Sequence, residues 1–321
     1  MNAPFLQENR RARFNTTLGP NALALLRMDG EEELSGDFTW KIEALSDDPD
    51  IDLNAILGTH ASVEMQVAGG LRYFDGIVTA AQWCGMEENG NRYDIILRPW
   101  LHIAGLRRNQ RIFHNLSVTE ILTEVLSTYA GIGSPHMEQE LGGNYPTLEY
   151  TVQYQESDAD FARRLMERFG ITWYWRHDDG NHTLVMTDQM SSQPEVPGAT
   201  RPYYGVEGYH MHDEEHFYGW SGGTRVTTGA VRLTEYNFKM PYATQEVDQA
   251  GDADHAYGTV ESFDWPGDYL VCGYGREVVY RRMQAETGQA VRYLAKGDVA
   301  SLGAGWCVTP TGDKIPNVTD Q

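Results

Sequence analysis

Residues 210–216 read His-Met-His-Asp-Glu-Glu-His, and imidazoles at that spacing could hold a metal. On a strand His210 and His212 share a face, and His216 could close a three-histidine site with an open fourth position, as a metal-dependent hydrolase needs. Asp213, Glu214 and Glu215 are typical solvated residues, so an exposed polar loop is the competing reading. Gly219-Trp220-Ser221-Gly222-Gly223 fits the G-x-S-x-G nucleophile elbow, whose chemistry needs a strand before the serine and a helix after it. The β-branched run Thr224-Arg225-Val226-Thr227-Thr228 follows, so a glycine-rich loop before a strand is expected instead. Adjacent acids at Asp47-Asp48, Glu87-Glu88, Asp178-Asp179 and Glu214-Glu215 do not supply the separated, unlike carboxylates of a glycosidase and read as solvated turns. Trp173 and Trp175 fall on one strand face, opposite Tyr174, and could serve a carbohydrate-binding module. Packing onto the preceding apolar-striped helix is the commoner use of such a pair. The chain has no G-x-G-x-x-G, P-loop, H-E-x-x-H or C-x-x-C, so nucleotide, zincin, zinc-ribbon and dithiol chemistry have no anchor. No motif here points to a bound cofactor.

The 321 residues suit two or three domains, and 41% hydrophobic with 22% charged residues is a globular composition. Twenty-five basic against 46 acidic residues leave a net charge of −21, which repels phosphate backbones and anionic lipid. Neither nucleic acid nor a membrane surface is therefore an expected partner. Cys84, Cys272 and Cys307 are odd in number and far apart. They read as reduced thiols of a cytoplasmic protein, each a small buried hydrophobe. Charges interrupt the N-terminal MNAPFLQENRRARF where a signal peptide needs an apolar run, and no stretch of 18 apolar residues could span a membrane. The protein is expected to fold in the cytoplasm and, if exported, to leave by a machine that reads no cleavable signal.

The elements that would position these residues begin with strands. Phe38, Trp40, Ile42 and Ala44 alternate with Thr39, Lys41 and Glu43, and Val63, Met65 and Val67 repeat the pattern before a Gly69-Gly70 turn. Asn89-Gly90-Asn91 separates two further strands, so a small antiparallel sheet or barrel is predicted. Ser117 and Glu120 form a capping box for a helix over 117–130, stopped at Gly131. A second helix runs from Ser157 to Phe169, with Phe161, Leu165 and Phe169 on one stripe and Gly170 at its end. A hairpin over 171–187 turns at Asp179-Gly180. Prolines at 194, 197 and 202 suggest a linker over 189–202. Strands resume at 224–228 and 231–238, a loop covers 251–268, and a weaker helix lies near 275–286.

On these residues the sequence resembles a known family along nearly its whole length. The carriers are Tyr154-Gln155-Glu156-Ser157-Asp158-Ala159-Asp160-Phe161, then Arg164-Leu165-Met166-Glu167, Gly170-Ile171, Trp175 and Asp179-Gly180-Asn181-His182-Thr183-Leu184. Upstream stand Phe74-Asp75-Gly76, Tyr93, Leu97-Arg98-Pro99-Trp100 and Arg111-Ile112-Phe113-His114. Downstream stand Val231 to Phe238 with Pro241, Asp264-Trp265-Pro266-Gly267-Asp268-Tyr269, and Leu302-Gly303-Ala304-Gly305. Together they look like the VgrG/Rhs-associated tip proteins of type VI secretion, related to the baseplate hub of contractile-tailed phages. Trp265 replaces the tyrosine expected before Pro266.

The resemblance implies a β-dominated α+β fold with two tandem tail-tube-like β-barrels around a smaller mixed region. The first barrel would occupy 1–112, the mixed region 113–190 and the second barrel 191–321. The second would stop short of its closing strands and of the OB-fold, needle and effector parts seen in the family. The implied role is structural: a homotrimer in which six barrels adapt a threefold tip to a hexameric Hcp-type tube, beside other spike, baseplate, effector or adaptor proteins. Interfaces of that kind bury roughly 2,000 Å² or more. The chain would assemble in the cytoplasm and be expelled through the machine, without inserting into a membrane itself.

Overall fold

The structure, a computed structural model, describes residues 6–129, 136–189, 191, 193–205, 214–253, 255–313 and 315. The chain divides into two compact units, Met1–Thr200 with Ala300–Thr309, and Arg201–Val299 with Pro310–Gln321. Strands dominate both, as an α+β, β-rich chain requires.

The first unit opens with β1 (Ala12–Asn15), β2 (Ala24–Glu31), β3 (Thr39–Ser46), β4 (His60–Val67), β5 (Gly70–Glu87) and β6 (Gly90–Arg98). They form one antiparallel sheet in the order β1-β4-β5-β6-β3-β2. Phe38, Trp40, Ile42 and Ala44 are buried on the inner face, as their alternation predicts. The long β5 pairs with β6 through register shifts at Val78/Ala80 and Trp83/Gly85. Such shifts bend and twist a strand, and here they let the sheet curl.

A curled sheet still has two end strands whose inner backbone groups need partners. The buried Gln7 amide supplies them. Its Oε1 accepts from Phe14 N of β1 at 2.9 Å and from Leu25 N of β2 at 3.0 Å. Its Nε2 donates to Phe14 O at 3.1 Å, Pro20 O at 2.6 Å and Leu23 O at 3.3 Å. One side chain thus clasps the first and last strands.

The middle of the unit holds α1 (Trp100–Gly105), β7 (Arg108–Phe113), α2 (Val118–Leu126), β8 (His136–Glu140), β9 (Thr151–Ser157), α3 (Asp158–Phe169), β10 (Thr172–Asp178) and β11 (Asn181–Thr187). The capping box forms as read: Ser117 N donates to Glu120 Oε2 at 2.7 Å, and the Ser117 hydroxyl caps the helix start. The chain then tightens into a 3-10 turn over Ser127–Tyr129, and Gly131 lies outside the described residues. Ser157 caps α3, and Gly170 ends it in the left-handed conformation (φ 66°) that glycine adopts without a Cβ clash. Phe161, Leu165 and Phe169 are fully buried. β8 runs parallel to β11 beside the β10–β11 hairpin, while β7 and β9 make a separate antiparallel ribbon.

The expected linker at 189–202 is largely a strand, β12 (Glu195–Tyr203). Proline's fixed φ suits extended backbone, so its spacing alone does not separate a linker from a strand. The remaining elements are β13 (Phe217–Thr224), β14 (Ala230–Leu233), β15 (Val247–Ala250), β16 (Glu261–Asp264), α4 (Cys272–Thr287), β17 (Val291–Gly297) and β18 (Cys307–Gly312). Thus the strand expected at 224–228 lies earlier, the one at 231–238 ends at Leu233, and the 251–268 loop contains β16. Glycines obscured β13, which is held by antiparallel pairing to β17. One sheet runs β17-β13-β12-β18 and another β15-β14-β16. α4 covers the latter with Val278, Val279 and Met283, which join Val231, Leu233, Val247 and Tyr269 in a small core. The cysteines are free, but not buried hydrophobes: Cys84 and Cys272 are half-buried and Cys307 is exposed.

Replacing Gln7 by Ala should leave buried backbone groups on β1 and β2 unpaired and cost about 2–4 kcal/mol in urea unfolding. An unchanged midpoint would show that the clasp adds nothing.

Candidate functional site

The serine motif and the tryptophan pair find other uses in the fold. His210 and His212 lie outside the described residues. His216 Nδ1 is 2.9 Å from Glu214 O and 3.3 Å from Asp298 Oδ1. Ser221 sits inside β13 opposite Leu294, and no helix follows β13, so no nucleophile elbow exists. Trp173 and Trp175 are 1% and 3% exposed, which removes a sugar platform. Tyr174 is buried as well, so both faces of β10 are covered. The Trp175 ring meets Phe38 at 5.7 Å and Trp100 at 5.8 Å, edge to face.

The residues that carry the resemblance fall mainly at buried joints. Phe74 and Phe113 are buried, and Phe113 stacks on Phe161 with centroids 5.6 Å apart. Gly76 lies against Leu97, Pro99 precedes α1, and Gly180 turns the β10–β11 hairpin. Leu165 and Gly170 belong to α3 and its end. The Trp265-Pro266 peptide is cis, and Gly267 follows it beside the Tyr269 ring. Tyr154 is 65% exposed, while its neighbour Glu156 pairs with Arg164 at 2.6 Å.

Asp158 heads one buried network. Its carboxylate accepts from Arg111, from Tyr129 Oη at 2.6 Å and from Gln153 Nε2 at 2.8 Å. Desolvation opposes its charge, but donors from Tyr129, Gln153 and Arg111 hold the carboxyl below its ordinary range. Burial and the bond to Asp158 push the Tyr129 hydroxyl up to about 12.

Sequence reading missed the second network. Asp75, fully buried on β5, accepts at Oδ1 from His182 Nδ1 at 2.6 Å and from His60 Nδ1 at 2.8 Å. Desolvation alone would raise this carboxyl; hydrogen bonds from His182 and His60 outweigh it and hold it low. His177 Nδ1 lies 3.2 Å from Asp75 N and 3.0 Å from Asp75 O, and its Nε2 is 3.9 Å from Glu32 Oε2. Glu32 in turn pairs with Arg72 at 2.5 Å and accepts from Ala304 N at 3.2 Å. Arg72 donates to Ala300 O at 2.9 Å and to Leu302 O. The Leu302–Gly305 run is thereby held in the first unit, where a Cβ on Gly305 would lie 2.4 Å from the Tyr174 ring. A charged residue among Phe74, Ile77 and Val78 was the available signal.

His60, Asp75 and His182 present ligand atoms within 4.8 Å of one another, the donor set of a small metal site. Backbone chemistry argues against that use. Trp100 N donates to His182 Nε2 at 2.9 Å, which places the His182 proton on Nδ1, aimed at Asp75. A metal would need the lone pair at that atom. The cluster is a proton-filled joint between β5, β11 and the start of α1. Surface depressions lined by Arg108, Asn109, Gln110 and Gln155, and by Thr119, Glu120, Thr123, Glu124 and Gln139, bring no nucleophile to a base. Among the described residues no helix is long and apolar enough to cross a membrane.

The pattern of the phage tail baseplate hub (GPD) family matches residues 31–321. The type VI secretion system spike protein VgrG1b of Pseudomonas aeruginosa is 33% identical over 301 residues, covering 93% of this chain and 40% of that protein. The chain spans less than half the length of such curated relatives. An Escherichia coli component of the type VI secretion system, described as similar to the T4 tail proteins gp27 and gp5, superposes with a TM-score of 0.55 at 20% identity, over 67% of this chain and 56% of that one. A tail protein of Neisseria meningitidis gives 0.58 at 10% identity, over 88% and 78%.

The buried imidazoles make stability depend on pH. Burial lowers His177 to about 3, and it lowers His182 against the pull of Asp75. Unfolded histidines protonate near 6.5, so below that pH the unfolded state binds more protons. Stability is full above about pH 6.5 and falls as pH drops, by up to ~1.4 kcal/mol per pH unit for each such histidine. Protonation of Asp75 adds a loss of the same sign only below about pH 4. Urea midpoints should decline between neutral pH and about pH 4, and His177→Gln should flatten the decline. A flat wild-type profile would contradict the burial of neutral imidazoles.

Proposed function

The chain belongs to the phage tail baseplate hub family, and we propose that it acts as the structural hub of a type VI secretion spike, working through surfaces and not through a catalytic pocket. The observation that carries this reading is the family match over 31–321, joined to VgrG spike relatives at 33% identity. The buried charges support it: Asp75 and Asp158 take hydrogen bonds from donors inside the protein. The second unit bears large exposed apolar side chains, among them Phe238 at 69%, Trp265 at 61% and Tyr242 at 101%. Exposed aromatics of this sort mark protein–protein surfaces.

In this reading 1–112 and 191–321 are the two tube-like β-domains and 113–190 the connecting region. Three chains then present six β-domains to an Hcp-type hexamer, and other spike or effector proteins attach elsewhere. The assembly forms in the cytoplasm and leaves by the secretion machine. At −21 per chain, tube surfaces that meet the hub should offer lysine and arginine, and association should weaken with salt.

Light scattering behind size exclusion should give the mass of three chains at high protein concentration. A purified Hcp-type ring should co-migrate with the trimer at low salt and separate at high salt. A strictly monomeric chain that ignores the ring would overturn the proposal.

A further inference from the structure

The start of α1 is held by a side chain from another element. Pro99, at its N-cap, offers no side-chain acceptor, and the first amide of the helix, Trp100 N, donates to His182 Nε2 at 2.9 Å. His182 is fully buried on β11, and its other nitrogen, Nδ1, is 2.6 Å from Asp75 Oδ1. Phe38 and Trp175 close the imidazole in, with ring centroids 5.5 and 5.4 Å from it. Both nitrogens are committed, one as donor and one as acceptor. Only the neutral ring with its proton on Nδ1 satisfies both bonds.

A second proton can go only to Nε2, where it would set N–H against N–H across 2.9 Å. The charged groups around the ring give it little relief. Asp75 of β5 favours the charge, but its Oδ1 already accepts from His60 of β4. The rings of His60 and of His177 on β10 lie 5.4 and 6.3 Å from that of His182, and His136 of β8 stands opposite Thr183, the next residue of β11. Arg72 and Glu32 act on His177. α1 itself contains no acid. Burial lowers His182 against the pull of Asp75, and His60 and His136 oppose its charge further.

We infer that the contact between His182 and Trp100 is a proton-operated latch: neutral His182 holds the start of α1 in place, and protonation at Nε2 releases it while the β1–β6 sheet stays folded. The release is local because α1 is six residues long and its N-cap supplies no other side-chain acceptor, whereas the sheet keeps its own ladder and the Gln7 clasp. A released histidine protonates at about pH 6.5 and the held one resists, so the open form binds more protons below that pH. The latch is therefore shut at neutral pH, and its opening constant climbs by up to about tenfold for each pH unit below 6.5. Acid moves this one element before it unfolds the unit, whatever the role of the chain.

The test is residue-resolved amide exchange of the full chain between pH 7 and 4.5, divided by intrinsic exchange rates, with amides of β3 and β6 as the reference. The opening constant of the Trp100 amide should rise by about tenfold per pH unit below 6.5 and exceed that of the reference amides. Imidazole nitrogen shifts should show His182 neutral with its proton on Nδ1 at pH 7. His182→Gln keeps a donor for Asp75 and an acceptor for Trp100 N but has no proton to titrate, so it should flatten the Trp100 profile. Should that variant fail to fold, the wild-type exchange and shifts decide alone. A Trp100 amide that opens only in step with β3 and β6, an opening constant indifferent to pH, an undiminished slope in His182→Gln, or an imidazole that carries its proton on Nε2 at pH 7 overturns the latch.

Discussion

A carboxylate buried in the middle of a strand has to be answered by donors, and at Asp75 the answer ties three parts of the first unit together. His60 reaches it from β4, the next strand of the same sheet, and His182 from the β10–β11 hairpin. The far nitrogen of His182 accepts from Trp100 N, so the start of α1 is held by the same imidazole. Removing any member leaves another buried polar group unpaired, which costs more than the bond itself is worth. A separate pair, Glu32 and Arg72, holds the Ala300–Ala304 segment, which returns to the first unit after the residues of the second. Gln7 makes a similar joint at the two ends of the sheet.

Asp158, a second buried carboxylate, is spent on Arg111, Tyr129 and Gln153. The outside carries net acidic charge and, in the second unit, exposed aromatic residues. Tied interior joints beneath such a surface suit the hub role proposed above. Rigid joints fix where the surfaces point, and complementary charge selects which surfaces meet.

Alternation and capping chemistry made much of the first unit legible. Phe38 to Ala44 show the inner face of β3, and Ser117, Ser157 and Gly170 mark helix ends by side-chain or backbone chemistry that acts locally. Failures arose where tertiary pairing overrides local signals. Gly219 to Gly223 read as a loop, yet pairing with β17 makes them a strand; Pro197 and Pro202 read as a linker, yet φ near −65° suits β12. The Asp75 cluster was invisible because its members lie at 60, 75, 177 and 182, brought together by sheet register and not by spacing. Asp75 and His182 were noticed as marks of a family, without the geometry that explains them. Trp173 and Trp175 show the converse, a pair whose alternation was read correctly while Tyr174, on the other face, proved equally buried.

The account depends most on how many β-domains each chain presents, and in what symmetry. Electron cryo-microscopy of the protein assembled on its tube ring measures this directly. The account predicts three chains around one axis, each giving two β-domains to a quasi-sixfold face against the hexamer. A ring built from another number of chains, or a single β-domain per chain at that face, would contradict it.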